Sequence, residues 1–447
     1  MLFSLLKNLS KHREIRQNLI NSIFFMAPSI LSMLIQLFTT PIFARNLSPT
    51  DFSIIGYFSA IGAIYNSLIN FSLFSYYMRG FHARSEKENN HVISTTVLFL
   101  MLSNTVFLAV NYFGWSIYFK LAEVSFPIYP YLLITYINSL MGVFTGALFM
   151  YYKMYKKPYR FMWYSILSTI INIGLGLYLV VNLHMGATGK LLAIMFGNSL
   201  VGVIAFKLLC QEWVIDWQVI RNAFKLGYPM ILIVLLSIPV TNLDKLLLER
   251  NRDVVNYSFY SIGLQFAGYM MLMHSSIFQA FQPDIYKYAN TSRKKLTILG
   301  ISIFGIAFIT NILFNIFSKP MISILTSNRY VGATKYANIF VWSNFFLLMT
   351  MFLAAVFVAK GKTLSLLWRK VAVSLCGTGL LYYSVDRWGF MGAAGTRVAV
   401  NVLDCTLMLF IGLVLLRRGR ESAVNVSLKS AVTDTGIATL PNSAGSQ

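Results

Sequence analysis

Long apolar runs recur along almost the whole chain, and they constrain its fold more than any other feature. Of the 447 residues, 57% are hydrophobic and only 12% are charged, and the mean hydropathy is +0.64, whereas soluble domains are about 25% charged. A helix needs roughly 20 apolar residues to cross the hydrocarbon core, while membrane-barrel strands are alternating segments of about 10 residues. These runs are too long and unbroken for strands, so the sequence predicts an all-α polytopic membrane protein.

Division of the runs at their charged, proline and glycine residues predicts about twelve transmembrane helices. The predicted spans are 19–43, 52–76, 92–113, 127–150, 161–182, 188–209, 226–248, 256–281, 296–317, 336–359, 364–384 and 390–416. We assign them to two six-helix lobes, residues 1–210 and 211–420. The remaining tail, 421–447, is polar and lacks aromatic residues, a composition that is typical of disorder.

Lysine and arginine alternate between the connecting segments in a way that predicts the orientation. If the N-terminus is cytoplasmic, segments on that side hold 25 of the 37 Lys and Arg residues, and segments on the opposite side hold 9. The positive-inside rule places the richer side in the cytoplasm, so we expect both termini there. The net charge of +22 therefore indicates contact with anionic lipid headgroups and no nucleic-acid partner, since the cations lie in short clusters between apolar spans.

The second half of the sequence echoes the first. At an offset of 201 residues, PSIL at 28–31 matches PMIL at 229–232, and at an offset of 206, MGATG at 185–189 matches MGAAG at 391–395. Because each half has an even number of spans, the two copies share one orientation, and the axis between them lies along the membrane normal. A parallel internal repeat of this kind predicts a central cavity between the lobes.

The seventh span carries polar residues within a long apolar run. Asp244 and Lys245 lie three and four residues after Thr241, so the three side chains form one broad helix face. A charge inside the membrane costs about 2.5–3.5 kcal/mol on the insertion scale, which makes such residues functional candidates. Asp244 is ~26 Å from Gly227 at 1.5 Å per residue, so an anchor at the interface, with Lys245 extended toward water, is the alternative to a cavity-lining face.

In the twelfth span, Arg397, Asn401 and Asp404 fall at positions i, i+4 and i+7, which is one stripe of a helix. Asp404 is ~21 Å in from Phe390, so it must face a cavity, pair with an Arg or Lys, or be protonated. Asp404 and Asp244 are the candidates for coupling transport to an ion gradient. A structural Arg–Asp pair between two helices is the alternative role for Asp404.

Two residues of the second span complete the candidate substrate path. Asn70 offers an amide for a polar lining, although amides in membranes also join helices to each other. Arg79 lies at the cytoplasmic end of the span, where it either contacts a lipid phosphate or only contributes to the orientation bias. Both interpretations stay open for both residues.

Enzymatic sites find little support in the sequence. A phosphate-binding loop ending in the GKT at 361–363 requires a glycine at the position of Val356, so we expect no bound nucleotide. The five histidines are dispersed and the three cysteines lack metal-ligand spacing, so neither a metal site nor a catalytic triad is predicted. A membrane glycosyltransferase or polymerase is the enzyme alternative, but the predicted external connections are short and contain no Asp-X-Asp motif.

Three stretches carry a family resemblance: GYP…NLDKLLL at 227–248, FQAFQPDIYK at 278–287 and GFMGAAGTRVA at 389–399. With the twelve spans in two halves, the chain resembles the polysaccharide-exporter branch of the multidrug/oligosaccharidyl-lipid/polysaccharide exporter superfamily. More narrowly, it resembles bacterial O-antigen repeat-unit flippases over about residues 15–416. The resemblance implies alternating access of two lobes that move an undecaprenyl-diphosphate-linked oligosaccharide across the bacterial inner membrane.

The resemblance also implies residues, partners and an energy source. It points to Asp244 and Lys245 of the DK motif and to Arg397 within a cationic lumen, although few cations lie deep in the spans of the first half. The implied partners are the lipid-linked oligosaccharide, membrane lipids and other polysaccharide-assembly proteins. No cofactor is expected, and either an H⁺ or an Na⁺ gradient would drive transport. A cation-coupled drug antiporter of the same architecture is the alternative function.

Overall fold

The structure is a computed structural model that describes residues 13–71, 73–81, 84–359 and 364–434. These residues form helices joined by short turns, and no strand occurs among them. The helices are α1 Arg13–Asn46, α2 Pro49–Leu68, α3 Phe74–Gly80, α4 Glu86–Leu121, α5 Tyr131–Met154, α6 Pro158–Leu177, α7 Gly186–Leu209, α8 Trp217–Glu249, α9 Val254–Thr291, α10 Arg293–Leu325, α11 Ala333–Ala359 and α12 Leu364–Asp434. One π-helical segment, Tyr178–Asn182, continues α6.

The helices confirm the predicted class, an all-α polytopic membrane protein. In the described part of the chain, seven helices are long and apolar enough to cross a membrane: α4, α5, α6 with its π segment, α7, α10, α11 and α12. The predicted spans coincide with described helices, except that the second lies across α2 and α3, the fourth begins four residues before α5, and the fifth includes the π segment. The number of membrane crossings stays a prediction. The GKT segment at 361–363 lies outside the described residues.

The second predicted span, 52–76, is not one continuous helix. It breaks after Leu68, and α3 begins at Phe74. At the break, the amide of Asn104 from α4 donates to the carbonyl of Ile69 at 3.0 Å. A side chain that satisfies a carbonyl in this way replaces the hydrogen bond that a continuing helix would supply. The break sets α3, which carries Arg79, apart from the helix that precedes it.

The last helix is longer than predicted and contains a sharp break. Gly389 has φ +51° and ψ −128°, a backbone conformation that only glycine adopts readily, and it divides α12 into two arms that hold the predicted eleventh and twelfth spans. Beyond the second arm, the helix continues to Asp434. This helix includes residues 421–434, and the predicted disorder of the tail, 421–447, stays a prediction. Residues 435–447 lie outside the described part.

Helices pack most extensively within each half of the chain. In the first half α7 packs against α5 and α6, and in the second half α11 packs against α9 and α12. The halves meet mainly where α2 lies against α8 and α9. One continuous core of buried aromatic and aliphatic side chains extends across this contact. The lobe boundary between residues 210 and 211 stays a prediction.

One close helix contact occurs twice, once in each half. A Cβ atom added at Gly62 of α2 would lie 3.2 Å from Cγ2 of Thr135 in α5, and one added at Gly263 of α9 would lie 2.8 Å from Cβ of Tyr336 in α11. Both residues of the second pair are 201 positions beyond those of the first. This is the offset found in the sequence, so the repeated contact supports the predicted duplication.

Candidate functional site

A cavity of about 420 Å³ lies between the two halves, as the repeat predicted. Its wall is formed by α1, α2, α6 and α7 of the first half and by α8 and α9 of the second. Much of this wall is polar but uncharged. The hydroxyl and amide side chains that line it are Ser32, Gln36, Thr39, Thr40, Ser59, Thr169, Asn172, Ser261 and Gln265.

Two lysines line this cavity, one from each half of the protein. Lys190 comes from α7 and Lys245 from α8. The Lys190 ammonium lies 3.9 Å from the centre of the Phe43 ring, a cation–π contact. Among the described residues neither lysine forms an ion pair, and no Asp or Glu lines the cavity. The cavity therefore combines positive charge with hydroxyl and amide groups.

The position of Lys190 is fixed by the way in which α7 begins. Asp51 of α2 takes part in a capping box with Ser48, and its other carboxylate oxygen accepts a 2.8 Å hydrogen bond from the backbone N–H of Ala187. Gly186 has φ +52°, and a Cβ atom there would lie 2.5 Å from that Asp51 oxygen. One carboxylate thus holds the first turns of two helices together and sets Lys190 one turn inside α7.

Lys190 was missed as a candidate because it lies at the start of its apolar run and is one of the nine cations assigned to the outer segments. The first half thus contributes one cation to the cavity lining, and the expectation that few cations lie deep in its spans stays a prediction. The sequence signal for a cavity-lining role of Lys190 was weak. Lys190 follows MGATG at 185–189, a segment repeated in the second half, and it precedes an unbroken apolar run.

Asp244 does not line the cavity with its neighbour Lys245. Its carboxylate accepts a 2.9 Å hydrogen bond from Nε of Arg397 and another from the hydroxyl of Tyr260, and its side chain is 1% exposed. Nη2 of Arg397 also donates to the carbonyl of Thr241 at 2.7 Å. Asp244 therefore joins α8 to the second arm of α12. Lys245 points elsewhere because consecutive helical residues are about 100° apart.

The predicted stripe on α12 contacts three different partners. Arg397 pairs with Asp244, the amide of Asn401 donates to the hydroxyl of Ser343 in α11 at 2.8 Å, and Asp404 forms an ion pair with Arg369 of the first arm. Both carboxylates that were predicted to couple transport to an ion are thus held by arginines. The coupling role of Asp404 and Asp244 stays a prediction.

The two candidates from the second span lie outside the lining of the central cavity. Asn70 is located at the break between α2 and α3, where its amide donates to the carbonyl of Asn66 at 3.2 Å. Arg79 lies on α3 and lines a separate pocket next to the first turns of α8. Of the predicted substrate residues, Lys245 is the one whose side chain lines the cavity.

No protein-family model matches the chain, and no curated protein matches it significantly. Solved structures do match. The lipid II flippase MurJ in an inward closed conformation superposes with a TM-score of 0.66 at 16% identity, over 87% of each chain.

Two transporters of the MOP superfamily also match. An inward-facing multidrug-resistance MATE transporter gives a TM-score of 0.63 at 16% identity, over 90% of this chain and 99% of that one. A transporter from Pyrococcus furiosus, described as having a binding pocket of reverse polarity, gives 0.55 at 13% identity, over 91% and 96%. At these identities the likeness concerns the fold, and the chain has the fold that these flippase and MATE structures share.

Proposed function

We propose that this protein is a flippase of the bacterial inner membrane. Its substrate is an undecaprenyl-diphosphate-linked oligosaccharide, such as an O-antigen or a related surface-polysaccharide repeat unit, which it moves across the bilayer by alternating access. The observation that carries the proposal is the central cavity. Two lysines without ion-pair partners face a wall of hydroxyl and amide groups, and no acidic residue lines it in the described part of the chain.

The charge of the cavity suits a diphosphate. Burying an ammonium group without a partner is costly, and phosphate oxygens supply both the opposite charge and strong hydrogen-bond acceptors. Lys190 and Lys245 come from different halves but line the same cavity, so a diphosphate bound there would be attracted to both. Hydroxyl and amide side chains are the groups that hydrogen-bond sugar hydroxyls. The oligosaccharide therefore finds matching partners beside the charged group.

The drug-antiporter alternative fits the cavity less well. A cationic drug would be repelled by Lys190 and Lys245 unless a carboxylate offset their charge, yet Asp244, the acidic residue adjacent to the lining, is turned away and paired with Arg397. The glycosyltransferase or polymerase alternative calls for a general acid or base at the site. Neither a carboxylate nor a histidine lines the cavity among the described residues.

Energy coupling and assembly are part of the same proposal. An H⁺ or Na⁺ gradient drives the cycle through Asp404 or Asp244, both termini lie in the cytoplasm, and other polysaccharide-assembly proteins supply and receive the lipid-linked unit. The proposal includes no cofactor and no nucleotide. Alternating access is supported by the fold shared with the inward-facing and inward closed structures.

The direct test measures flipping in proteoliposomes that contain a defined undecaprenyl-diphosphate-linked oligosaccharide. We expect Lys190→Gln and Lys245→Gln each to lower the rate about tenfold, because each removes one charge-assisted contact to the diphosphate. Lys120→Gln, which changes an exposed lysine at the end of α4, is the matched control and should transport normally. Unchanged rates in the double variant Lys190→Gln/Lys245→Gln would contradict the proposal. Export of a cationic dye without flipping would favour the antiporter.

A further inference from the structure

A second pocket, about 590 Å³ in volume, lies between α3 and the first turns of α8. It shares no lining residue with the central cavity. Arg79 and Arg84 approach it from the first half of the chain and Lys225 from the second, and Tyr76 and Asn222 complete its polar wall. In the part of the chain that the structure describes, no acidic residue lines it. The pocket thus gathers three cations from two halves.

The guanidinium of Arg84 is positioned by its surroundings. It lies over the ring of Tyr76, with 4.3 Å between Cζ and the ring centre. A Cβ atom added at Gly80 would lie 2.4 Å from that Cζ atom, so the glycine leaves the space that the guanidinium occupies. The amide of Asn89 donates to the carbonyl of Phe81 at 2.9 Å and ties the end of α3 to α4. These contacts together hold the Arg84 guanidinium at the pocket.

Within the described ranges, the three cations of this pocket have no carboxylate partner within ion-pair distance, although Arg84 also lines a neighbouring pocket with Glu88 and Glu212. Among the described residues none of Arg79, Arg84 and Lys225 forms an ion pair. Three like charges around one opening repel each other, and a bound anion would remove that repulsion. The pocket lies at the end of the molecule that the Lys and Arg count assigns to the cytoplasm. Anionic lipid headgroups are concentrated at this surface.

We propose that this pocket binds the phosphate group of a lipid in the cytoplasmic leaflet, and that this phosphate stabilises the present arrangement of α3 and α8. Guanidinium groups bind phosphate oxygens through paired N–H donors, and an ammonium adds a third contact. Because the three cations come from two halves, the phosphate contacts both. A ligand that binds one arrangement better than another increases the population of that arrangement. The lipid would thereby regulate the movement of one half against the other.

The test measures lipid retention by the purified full-length protein with native mass spectrometry. The probe is dioleoylphosphatidylglycerol, with dioleoylphosphatidylcholine as the zwitterionic reference. We expect Arg79→Gln, Arg84→Gln and Lys225→Gln each to lower the apparent affinity for the anionic lipid about tenfold. Arg221→Gln is the matched control, because Arg221 is exposed one turn earlier on α8 and does not line the pocket. It should bind as the wild type does.

Gly80→Ala gives a sharper version of the test, because it keeps every charge but displaces the Arg84 guanidinium. We expect it to weaken retention of the anionic lipid as Arg84→Gln does. Lys225→Gln changes an exposed side chain, so it remains informative even if a variant of the turn fails to fold. Retention of both phosphatidylglycerol and undecaprenyl diphosphate by Arg79→Gln and Lys225→Gln at the wild-type level would overturn the proposal.

A second arm identifies the source of the phosphate. Undecaprenyl diphosphate replaces phosphatidylglycerol in the same series of variants. If the variants weaken only the binding of undecaprenyl diphosphate, the pocket receives the transported lipid, and if they weaken phosphatidylglycerol, it receives a bilayer lipid. The inference does not rest on the proposed function. A protein that binds lipid here but flips no oligosaccharide would contradict the proposed function and leave this pocket supported.

Discussion

Single residues in the second half show how this chain accommodates charge inside an apolar bundle. Arg397 uses two nitrogens for two partners on α8, the carboxylate of Asp244 and the carbonyl of Thr241. Sequence spacing predicted that Thr241, Asp244 and Lys245 share one broad helix face. It could not identify Arg397 as the partner of Asp244, because that contact depends on how the second arm of α12 packs against α8, and no local pattern encodes this packing.

Removal of the carboxylate at Asp244 should destabilise the protein. We expect Asp244→Asn to lower the free energy of unfolding by about 3–5 kcal/mol, because it leaves the Arg397 guanidinium without its counter-charge. Arg397→Gln in addition should recover part of the loss. Unfolding of the purified protein in detergent, measured for both single variants and the double variant, gives the coupling energy of the pair. Simple additivity of the two losses would show that the ion pair contributes nothing of its own.

His91 should make the stability of the protein depend on pH. Its ring contacts the carboxylates of Glu212 and Asp216 in the connection between the halves. The hydrogen bond to Glu212, with a smaller contribution from Asp216, raises the pKa of His91. Because the folded-state pKa is raised, this stabilisation is complete below about pH 6.5, the usual histidine pKa, and is lost as pH rises through the folded-state pKa.

The prediction for His91 is therefore a change in the slope of the melting temperature against pH. Between about pH 6 and 8.5, the melting temperature of His91→Gln should depend less on pH than that of the wild type. His184→Gln is the control, since His184 is exposed and forms none of the described ion pairs. Parallel curves for wild type and His91→Gln would assign the pH dependence to other groups.

At the level of helices, length and apolar character predicted where the elements lie, but tertiary contacts decide where several of them end. Residues 69–73, INFSL, contain no charge, proline or glycine, so the sequence predicts one span across the α2–α3 break. The break depends on Asn104, which belongs to α4 and is 35 positions away from the carbonyl it satisfies. The glycine at 389, in contrast, lies between two predicted spans, where the sequence already placed a boundary.

The start of α7 offers a test at this scale. We expect Gly186→Ala to lower the free energy of unfolding by about 1–3 kcal/mol, because a side chain is strained at positive φ and its Cβ atom would meet the Asp51 carboxylate. The same change should slow flipping, since the first turn of α7 positions Lys190. Gly146→Ala is the control, because a Cβ atom there has no neighbour within 4 Å. Equal stability and transport of the two variants would contradict this role for the α7 start.

Across the whole molecule, the two halves touch each other at equivalent positions. The hydroxyl of Ser53 donates to the carbonyl of Val254 at 2.9 Å, and a Cβ atom at Gly56 would lie 3.3 Å from the Tyr257 ring. Both pairs are 201 residues apart. Elements next to a twofold axis contact their own equivalents, so the pseudo-twofold axis passes between α2 and α9. The sequence predicted the repeat and the direction of the axis, but only the packing locates the axis within the molecule.

The halves also meet at the predicted outer end of the molecule. This end is opposite the pocket that Arg79, Arg84 and Lys225 line. Nη1 of Arg329, in the turn between α10 and α11, donates to the carbonyls of Ala44 and Arg45 at 3.0 and 2.6 Å. The hydroxyl of the adjacent Tyr330 donates to the carbonyl of Leu47 at 3.0 Å, and Leu47 lines the central cavity. We call this set of contacts the outer clasp. It joins the two halves beside Leu47, at the edge of the cavity.

Weakening the outer clasp should favour an outward-open conformation. Arg329→Gln removes a charged donor with two acceptors, each contact being worth about 1.5–3 kcal/mol, so the population of the open state should rise at least tenfold. Spin labels at Leu121→Cys and Ile324→Cys, both exposed, would report the separation of the halves by pulsed electron resonance in a variant without the native cysteines. Lys319→Gln, an exposed substitution on α10, is the control. We expect a longer-distance population in Arg329→Gln alone, because the outer clasp connects the halves directly. Identical distance distributions in the two variants would show that other contacts hold the outer end closed.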